Sequence, residues 1–294
     1  MNKELAEWLE NERIKFDEVM RASLDTLQIP EKLKESVYYS INAGGKRLRP
    51  LLMKATCEAF EGDAEKVYPA AVALEMIHTY SLIHDDLPAM DNDMYRRGLP
   101  TNHIKFGEAT AILAGDGLLT NSFQMITATE LYTPEEKVFL LHKLSKASGL
   151  EGMVAGQHLD MGAETKQVSL EDLEQIHRLK TGRLLTYAME AGAYLANVTP
   201  KELKLMASFG EQIGLIFQIQ DDILDVIGDQ ELLGKAVGSD KGNEKSTYPG
   251  LLGLEGAVEK RDRHYQRAMD YLTQLNLEHT TLSQLATYLV NREK

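Results

Sequence analysis

One cysteine, Cys57, in a chain of 294 residues leaves no intrachain disulfide and no CxxC zinc or redox motif. A reducing, cytoplasmic setting is therefore expected. Positive charge is also short: 32 Lys and Arg stand against 45 Asp and Glu, a formal charge of −13. Nucleic acid is not expected as a partner, because phosphate binding needs a basic face. No apolar run is long enough to span a bilayer, and the opening Met-Asn-Lys-Glu-Leu-Ala-Glu has no signal core. The HExxH, Walker A, GxGxxG and GxSxG motifs are missing. Lys180-Thr181-Gly182 is present, but without the Ser-x-x-Lys tetrad of penicillin-recognising enzymes, and inside a helical pattern rather than a strand. With only eight prolines and almost no β-branched clusters between turn signals, a sheet-rich fold is excluded as well.

What remains is helical periodicity. It predicts helices near 2–27, 31–42, 48–61, 65–87, 107–131, 134–148, 150–162, 169–195, 199–228, 253–275 and 281–292. Ser169-Leu170-Glu171-Asp172 matches a capping box, and Thr199-Pro200 puts Thr at an N-cap with Pro at the first helical position. Gly62 and Gly149 are expected to stop their helices. There is no linker, repeat or low-complexity tract, so one all-α domain over 1–294 with a central bundle is expected. The helices around 70–87, 150–160 and 207–227 are apolar nearly all round, which implies burial. Segments 88–106 and 229–250, rich in Gly, Pro, Asp, Asn, Arg and Lys, read as loops.

Each of those loops follows a cluster of paired acids. The first is His84-Asp85-Asp86-Leu87-Pro88-Ala89-Met90-Asp91; the second is Gln218-Ile219-Gln220-Asp221-Asp222-Ile223-Leu224-Asp225. Carboxylates grouped at the ends of apolar helices suit a hard cation such as Mg²⁺. Asp221 and Asp225, four apart, share a helix face and repel each other unless a cation lies between them. Asp85 and Asp91 would point about 120° apart on a regular helix, but Pro88 ends or bends it and lets Asp91 swing back. The plain alternative for either cluster is a solvated acidic helix end. Two clusters facing each other would hold several Mg²⁺ ions, and those ions a diphosphate.

Cations recur beside these acids. Gly44-Gly45-Lys46-Arg47-Leu48-Arg49-Pro50 joins two helices, Arg96-Arg97-Gly98 follows the first cluster, and Lys235, Lys241 and Lys245 follow the second. Lys and Arg next to flexible glycines suit diphosphate oxygens, although any one of them alone reads equally as a solvated loop charge. His78, seven residues before Asp85, is a phosphate donor or a hydrogen-bonded core histidine. Gln157 and Asp160 share a helix face, as supporting groups for a site or as a buried polar pair.

With these motifs in order, the chain resembles the polyprenyl (isoprenyl) diphosphate synthase family, from about Gly44 to Gly253. It is most similar to that family's bacterial farnesyl-forming branch, including the strings Tyr80 to Asp91 and Lys245-Ser246-Thr247-Tyr248-Pro249. The resemblance implies an all-α bundle of the isoprenoid synthase type with a central cavity. It implies a homodimeric prenyltransferase that condenses isopentenyl diphosphate with dimethylallyl and geranyl diphosphate to give farnesyl diphosphate. Asp85 and Asp91 would bind two Mg²⁺ ions and Asp221 a third. Arg96, Lys180 and Lys235 would hold the allylic diphosphate, and Lys46, Arg49, His78 and Arg97 the isopentenyl one. Thr181, Gln218 and Lys180 would lie by the reacting carbons, with Asp222, Asp225, Asp240 and Lys245 in support. Tyr80, with the small Ser81 beside it, would be the floor that stops growth at C15; an ordinary core aromatic is the alternative. The rivals are a C20 geranylgeranyl diphosphate synthase, a class I terpene cyclase, which has no use for the Gly-Gly-Lys-Arg-x-Arg stretch, and a non-catalytic partner subunit, which should have lost some of these groups.

Overall fold

The helical pattern of the sequence becomes thirteen α-helices in a computed structural model that describes residues 2–163, 166–227 and 246–292. They are α1 Lys3–Asp25, α2 Glu31–Asn42, α3 Leu48–Ala59, α4 Tyr68–Asp85, α5 Asn102–Phe106, α6 Glu108–Ala128 and α7 Pro134–Ser148. There follow α8 Met153–Ala163, α9 Leu170–His177, α10 Arg183–Leu195, α11 Pro200–Ile227, α12 Tyr248–Leu275 and α13 Thr281–Asn291. Among the described residues no helix is long and apolar enough to cross a membrane.

The chain divides into two compact units. One comprises Glu7–Leu51 and Glu65–Leu141. In it α4 packs along α6, and α2 and α5 rest on α6. Twelve of the eighteen residues of α4 are buried, which explains why its sequence is apolar all round. The other unit comprises Met1–Ala6, Leu52–Ala64 and His142–Lys294. Its spine is α11, which packs against α10 on one side and α12 on another. Leu173, Leu215, Ile219, Ile223, Tyr248 and Ala257 form a buried cluster there.

The expected caps form. The Ser169 hydroxyl accepts from the Asp172 amide at 3.1 Å, and Thr199 and Glu202 exchange side chain-to-backbone bonds at the start of α11. At the end of α3 the left-handed residue is Glu61 rather than Gly62.

Four details depart from the pattern. Residues 88–106 are not only loop: Tyr95–Arg96 and Leu99–Pro100 pair antiparallel, and α5 follows. Both turn residues, Arg97 and Gly98, have positive φ, the signature of a tight type I′ hairpin. The expected helix 169–195 is interrupted by a π turn at Arg178–Gly182. The expected helix 65–87 opens as a 3₁₀ turn, Ala64–Val67. Finally, α12 begins at Tyr248, inside the segment read as loop, because Thr247 accepts from the Gly250 amide, and the helix kinks at Gly253.

Candidate active site

The first acidic cluster closes α4. Asp86 takes the C-cap position. The chain then turns sharply: the Met90 and Asn92 amides both donate to the Leu87 carbonyl, at 2.8 and 3.1 Å. The Asp91 amide donates to the Asp85 carbonyl at 2.8 Å. A tight turn through Pro88 therefore returns Asp91 to the backbone of Asp85, and both residues are half-buried. Asp86 behaves differently. It is buried, and Arg96 grips it with Nε at 2.8 and 3.0 Å and Nη2 at 2.6 Å. Burial pushes the Asp86 carboxyl up, and the Arg96 guanidinium opposes that.

The same unit gathers the arginines. Arg47 is buried and fully engaged, donating to Asp17 (2.8 Å), Glu75 (2.8 Å) and the Ile41 carbonyl (2.6 Å). Lys46 beside it is exposed and Arg49 half-buried. Arg97 donates to the Gly44 carbonyl, and a Cβ at Gly45 would meet the Arg97 guanidinium at 2.8 Å. The two cationic stretches thus meet at Gly45, whose φ of 138° is one that residues with a side chain rarely adopt. Arg47 and Arg97 themselves hold positive φ, a strained conformation of the kind found at functional loops. His78, Arg47, Arg96 and Arg97 line one pocket. The His78 imidazole is held well below its ordinary pKa, by burial first and then by Arg49, Arg97, Arg47 and Arg96. Burial is the larger cause, and the arginines around the ring add a locus of positive potential, which suits a polyanion.

On α4, Tyr80 is buried with its ring edge-to-face on His84, centroids 5.7 Å apart. Its phenol is pushed up to about 12 by burial and then by the charge of Asp85. The Ser81 hydroxyl donates to the His78 carbonyl.

In the other unit the π turn carries Lys180-Thr181-Gly182. Single π turns occur often at functional sites, because the extra residue re-aims side chains. Here two glycines admit it: a Cβ on Gly156 of α8 would lie 2.2 Å from the Lys180 amide nitrogen, and one on Gly214 of α11 would lie 2.7 Å from the Gly182 Cα. Thr181 Oγ1 donates to Gln218 Oε1. Lys180 pairs with Asp160 at 2.7 Å. Both amide atoms of Gln157 are buried and have no hydrogen-bond partner among the described residues. Lys180, Asp160, Gln218, Asp221 and Asp222 line one cavity.

The members of the second cluster differ in duty. Asp222 is buried and accepts from the Tyr248 amide at 2.9 Å, so it docks the start of α12. Asp225 is buried. Asp221 is 38% exposed and accepts from Arg292 Nη2 at 2.5 Å. Arg292 stands 71 residues away. Nothing in local spacing links the two, so only its position after an apolar helix could have drawn notice. Lys235, Asp240, Lys241 and Lys245 lie outside the described residues.

Carboxylates alone fit the expected ion. Mg²⁺ takes one or two carboxylates and keeps its other positions for water and substrate phosphates, rather than needing an all-protein cage. Among the described residues no three His, Cys, Asp or Glu group into such a cage.

A Polyprenyl synthetase family model matches residues 30–281. The chain is 46% identical over 295 residues to a farnesyl diphosphate synthase of Bacillus subtilis, covering 100% of both chains. It is 43% identical to a geranylgeranyl diphosphate synthase of Cyanophora paradoxa, covering 90% of this chain and 88% of that one. Among solved structures, a geranyltransferase from Legionella pneumophila superposes with a TM-score of 0.87 at 33% identity, covering 99% of this chain and 98% of that one.

Proposed function

The chain belongs to the polyprenyl synthetase family, and we propose that it condenses isopentenyl diphosphate with dimethylallyl and then geranyl diphosphate to give farnesyl diphosphate. The observation that carries this reading is the turn that returns Asp91 to Asp85 at the end of an apolar helix. Residues 1–294 act in it as one polyprenyl synthase domain. Asp85, Asp91 and Asp221 would hold Mg²⁺, three ions in all, and the metal would supply positive charge to offset that of the diphosphate. Lys180, Lys235 and Arg96 serve the allylic diphosphate. Lys46, Arg49, His78 and Arg97 serve the isopentenyl diphosphate, and the pocket that His78 and Arg97 line together supports that assignment.

The allylic C–O bond breaks with its electron pair passing to oxygen. The oxygens of Thr181 and Gln218 turn their dipoles toward the resulting allylic cation. The isopentenyl double bond supplies the electrons of the new C–C bond, and a proton leaves to the departed diphosphate. The pocket must exclude water, which would otherwise capture the cation.

The C20 reading is the second one. Buried Tyr80, a bulky side chain one and a half turns before Asp85, favours C15. The cytoplasm suits a chain whose one cysteine is buried. Exposed Ile112 and Leu113 on α6 support a homodimer. Incubation with labelled isopentenyl diphosphate and each allylic primer tests the activity. The expected product is C15; no elongation with any primer would overturn the proposal.

A further inference from the structure

The C-terminal segment folds back onto α11 and is fastened there. Gln220 Nε2 donates to the Arg292 carbonyl at 3.0 Å. Arg261 Nη1 in turn donates to Gln220 Oε1 at 2.8 Å and to the Val290 carbonyl at 3.4 Å. The Arg292 side chain is 4% exposed. Its guanidinium carbon lies 4.4 Å from the Phe217 ring centroid. Nη2 donates to the Phe217 carbonyl at 3.0 Å and to Asp221 Oδ1 at 2.5 Å. This is a stacked, hydrogen-bonded arginine in a built setting, not a surface ion pair.

The position of this arginine differs from that of the other arginine bound to an acidic cluster. Arg96 neutralises Asp86, which the proposed metal set does not use. Arg292 neutralises Asp221, which that set does use. A fixed positive charge on one carboxylate oxygen repels a dication approaching the same group, and weakens the carboxylate as a ligand. A diphosphate brings several negative charges to the ion and offsets that repulsion. A carboxylate so paired is a poor site for bare Mg²⁺ and a good one for a Mg²⁺–diphosphate complex.

We propose that Arg292 is a resident counter-cation that keeps the Asp221 metal site weak until a diphosphate arrives, so that the ion at the second cluster binds with the diphosphate and not ahead of it. The inference rests on the reading of Asp221 as a metal ligand. In this role Arg292 is a positioning and gating residue: it touches Asp221, not the reacting atoms.

Mn²⁺ binding, followed by electron paramagnetic resonance on the full chain, tests it without recourse to turnover. The Asp221-dependent site is the part of the isotherm lost in Asp221→Ala. Without pyrophosphate, Arg292→Gln should tighten that site on the order of tenfold, as expected for removing one charge a few ångströms from a dication. Arg292→Lys keeps the charge and should stay near wild type. With pyrophosphate present, the gain in Arg292→Gln should shrink to a small fraction of that. Unchanged or weaker Mn²⁺ binding in Arg292→Gln overturns the proposal. Equal gains in the Gln and Lys variants also overturn it, because loosened anchoring and not charge would then be responsible. Mn²⁺–pyrophosphate binding indifferent to Asp221→Ala would instead remove the metal reading of Asp221 itself, and this proposal with it.

Discussion

The two acidic clusters look alike in sequence and are used differently. At the end of α4, the middle aspartate of the first cluster is tied to an arginine close in sequence, and a turn brings the outer two together. On α11, the first aspartate is tied to an arginine from the far end of the chain, while the second holds the start of the next helix. Their neighbours differ too. The first cluster shares its unit with an arginine-rich pocket around His78. The second shares its unit with a threonine–glutamine pair and one lysine on a π turn. A run of aspartates therefore says little about which carboxylate does what; the cation beside each one decides.

The largest effects should come from removing either cluster. Asp85→Ala and Asp221→Ala should each lower kcat on the order of 10³-fold, the scale of losing a group that stabilises transition-state charge. Both should keep wild-type circular dichroism. Steady-state assays with labelled isopentenyl diphosphate measure this, and near-normal turnover in excess chelator would break the pairing of the clusters. Next in size, the two cationic groups should separate by substrate. Arg49→Ala should raise KM for isopentenyl diphosphate on the order of 10- to 100-fold, the range for one lost charge-assisted hydrogen bond, with a much smaller change for geranyl diphosphate. Lys180→Ala should do the reverse. Equal effects of one substitution on both substrates would erase the distinction between the two regions.

Much of the fold was legible because helices announce themselves by period. The α4 sequence and the 207–227 part of α11 are apolar nearly all round, and most of α4 and half of α11 are buried, whereas in α8, which read the same way over 150–160, only Met153 and Gly156 are. The π turn was not legible. Arg178 to Gly182 has an ordinary helical composition, and the bulge depends on Gly156 and Gly214, which approach from other helices. The burial of Arg47 among Asp17, Glu75 and Ile41 was equally hidden, since Lys46, Arg47 and Arg49 read as equivalent loop cations. Local spacing did suggest the return of Asp91 to Asp85, because proline constrains its own neighbourhood. The tie between Asp221 and Arg292 needs tertiary structure, and no local rule supplies it.

Product length is a third way to test the first region. Tyr80 lies about 7.5 Å along the helix axis from Asp85. With its ring buried against His84, Tyr80→Ala should open a void that another C5 unit can fill. The expected outcome is C15 from the wild type and C20 or longer from the variant, read by gas chromatography of dephosphorylated products. Unchanged C15 from the variant would leave Tyr80 an ordinary core aromatic.

The smallest effect sharpens the comparison through two histidines. His264, in the α11 unit, is buried and bonded through Nδ1 to Gln212 at 2.8 Å. Burial, then Lys260, lower its pKa to about 4, with Glu174 opposing. His78, in the α4 unit, is lowered by burial and then by four arginines, with no carboxylate among the main causes. Both folded values lie below the unfolded value of about 6.5. The unfolded chain therefore takes up protons first as pH falls, so stability is full above about 6.5 and declines below it. For His264 the decline runs from about 6.5 to about 4 and amounts to about 3 kcal/mol. Urea unfolding of wild type and His264→Asn at pH 7 and pH 4.5 should show a shallower loss in the variant. Pyrophosphate then separates the two rings. A polyanion among the arginines should raise the His78 pKa, because it offsets the charges that depress it, while His264 has no reason to move. Histidine resonances followed by NMR with and without pyrophosphate would show this. If both rings shift together, or neither does, the pocket around His78 is not an anion site and the contrast between the two regions loses its electrostatic basis.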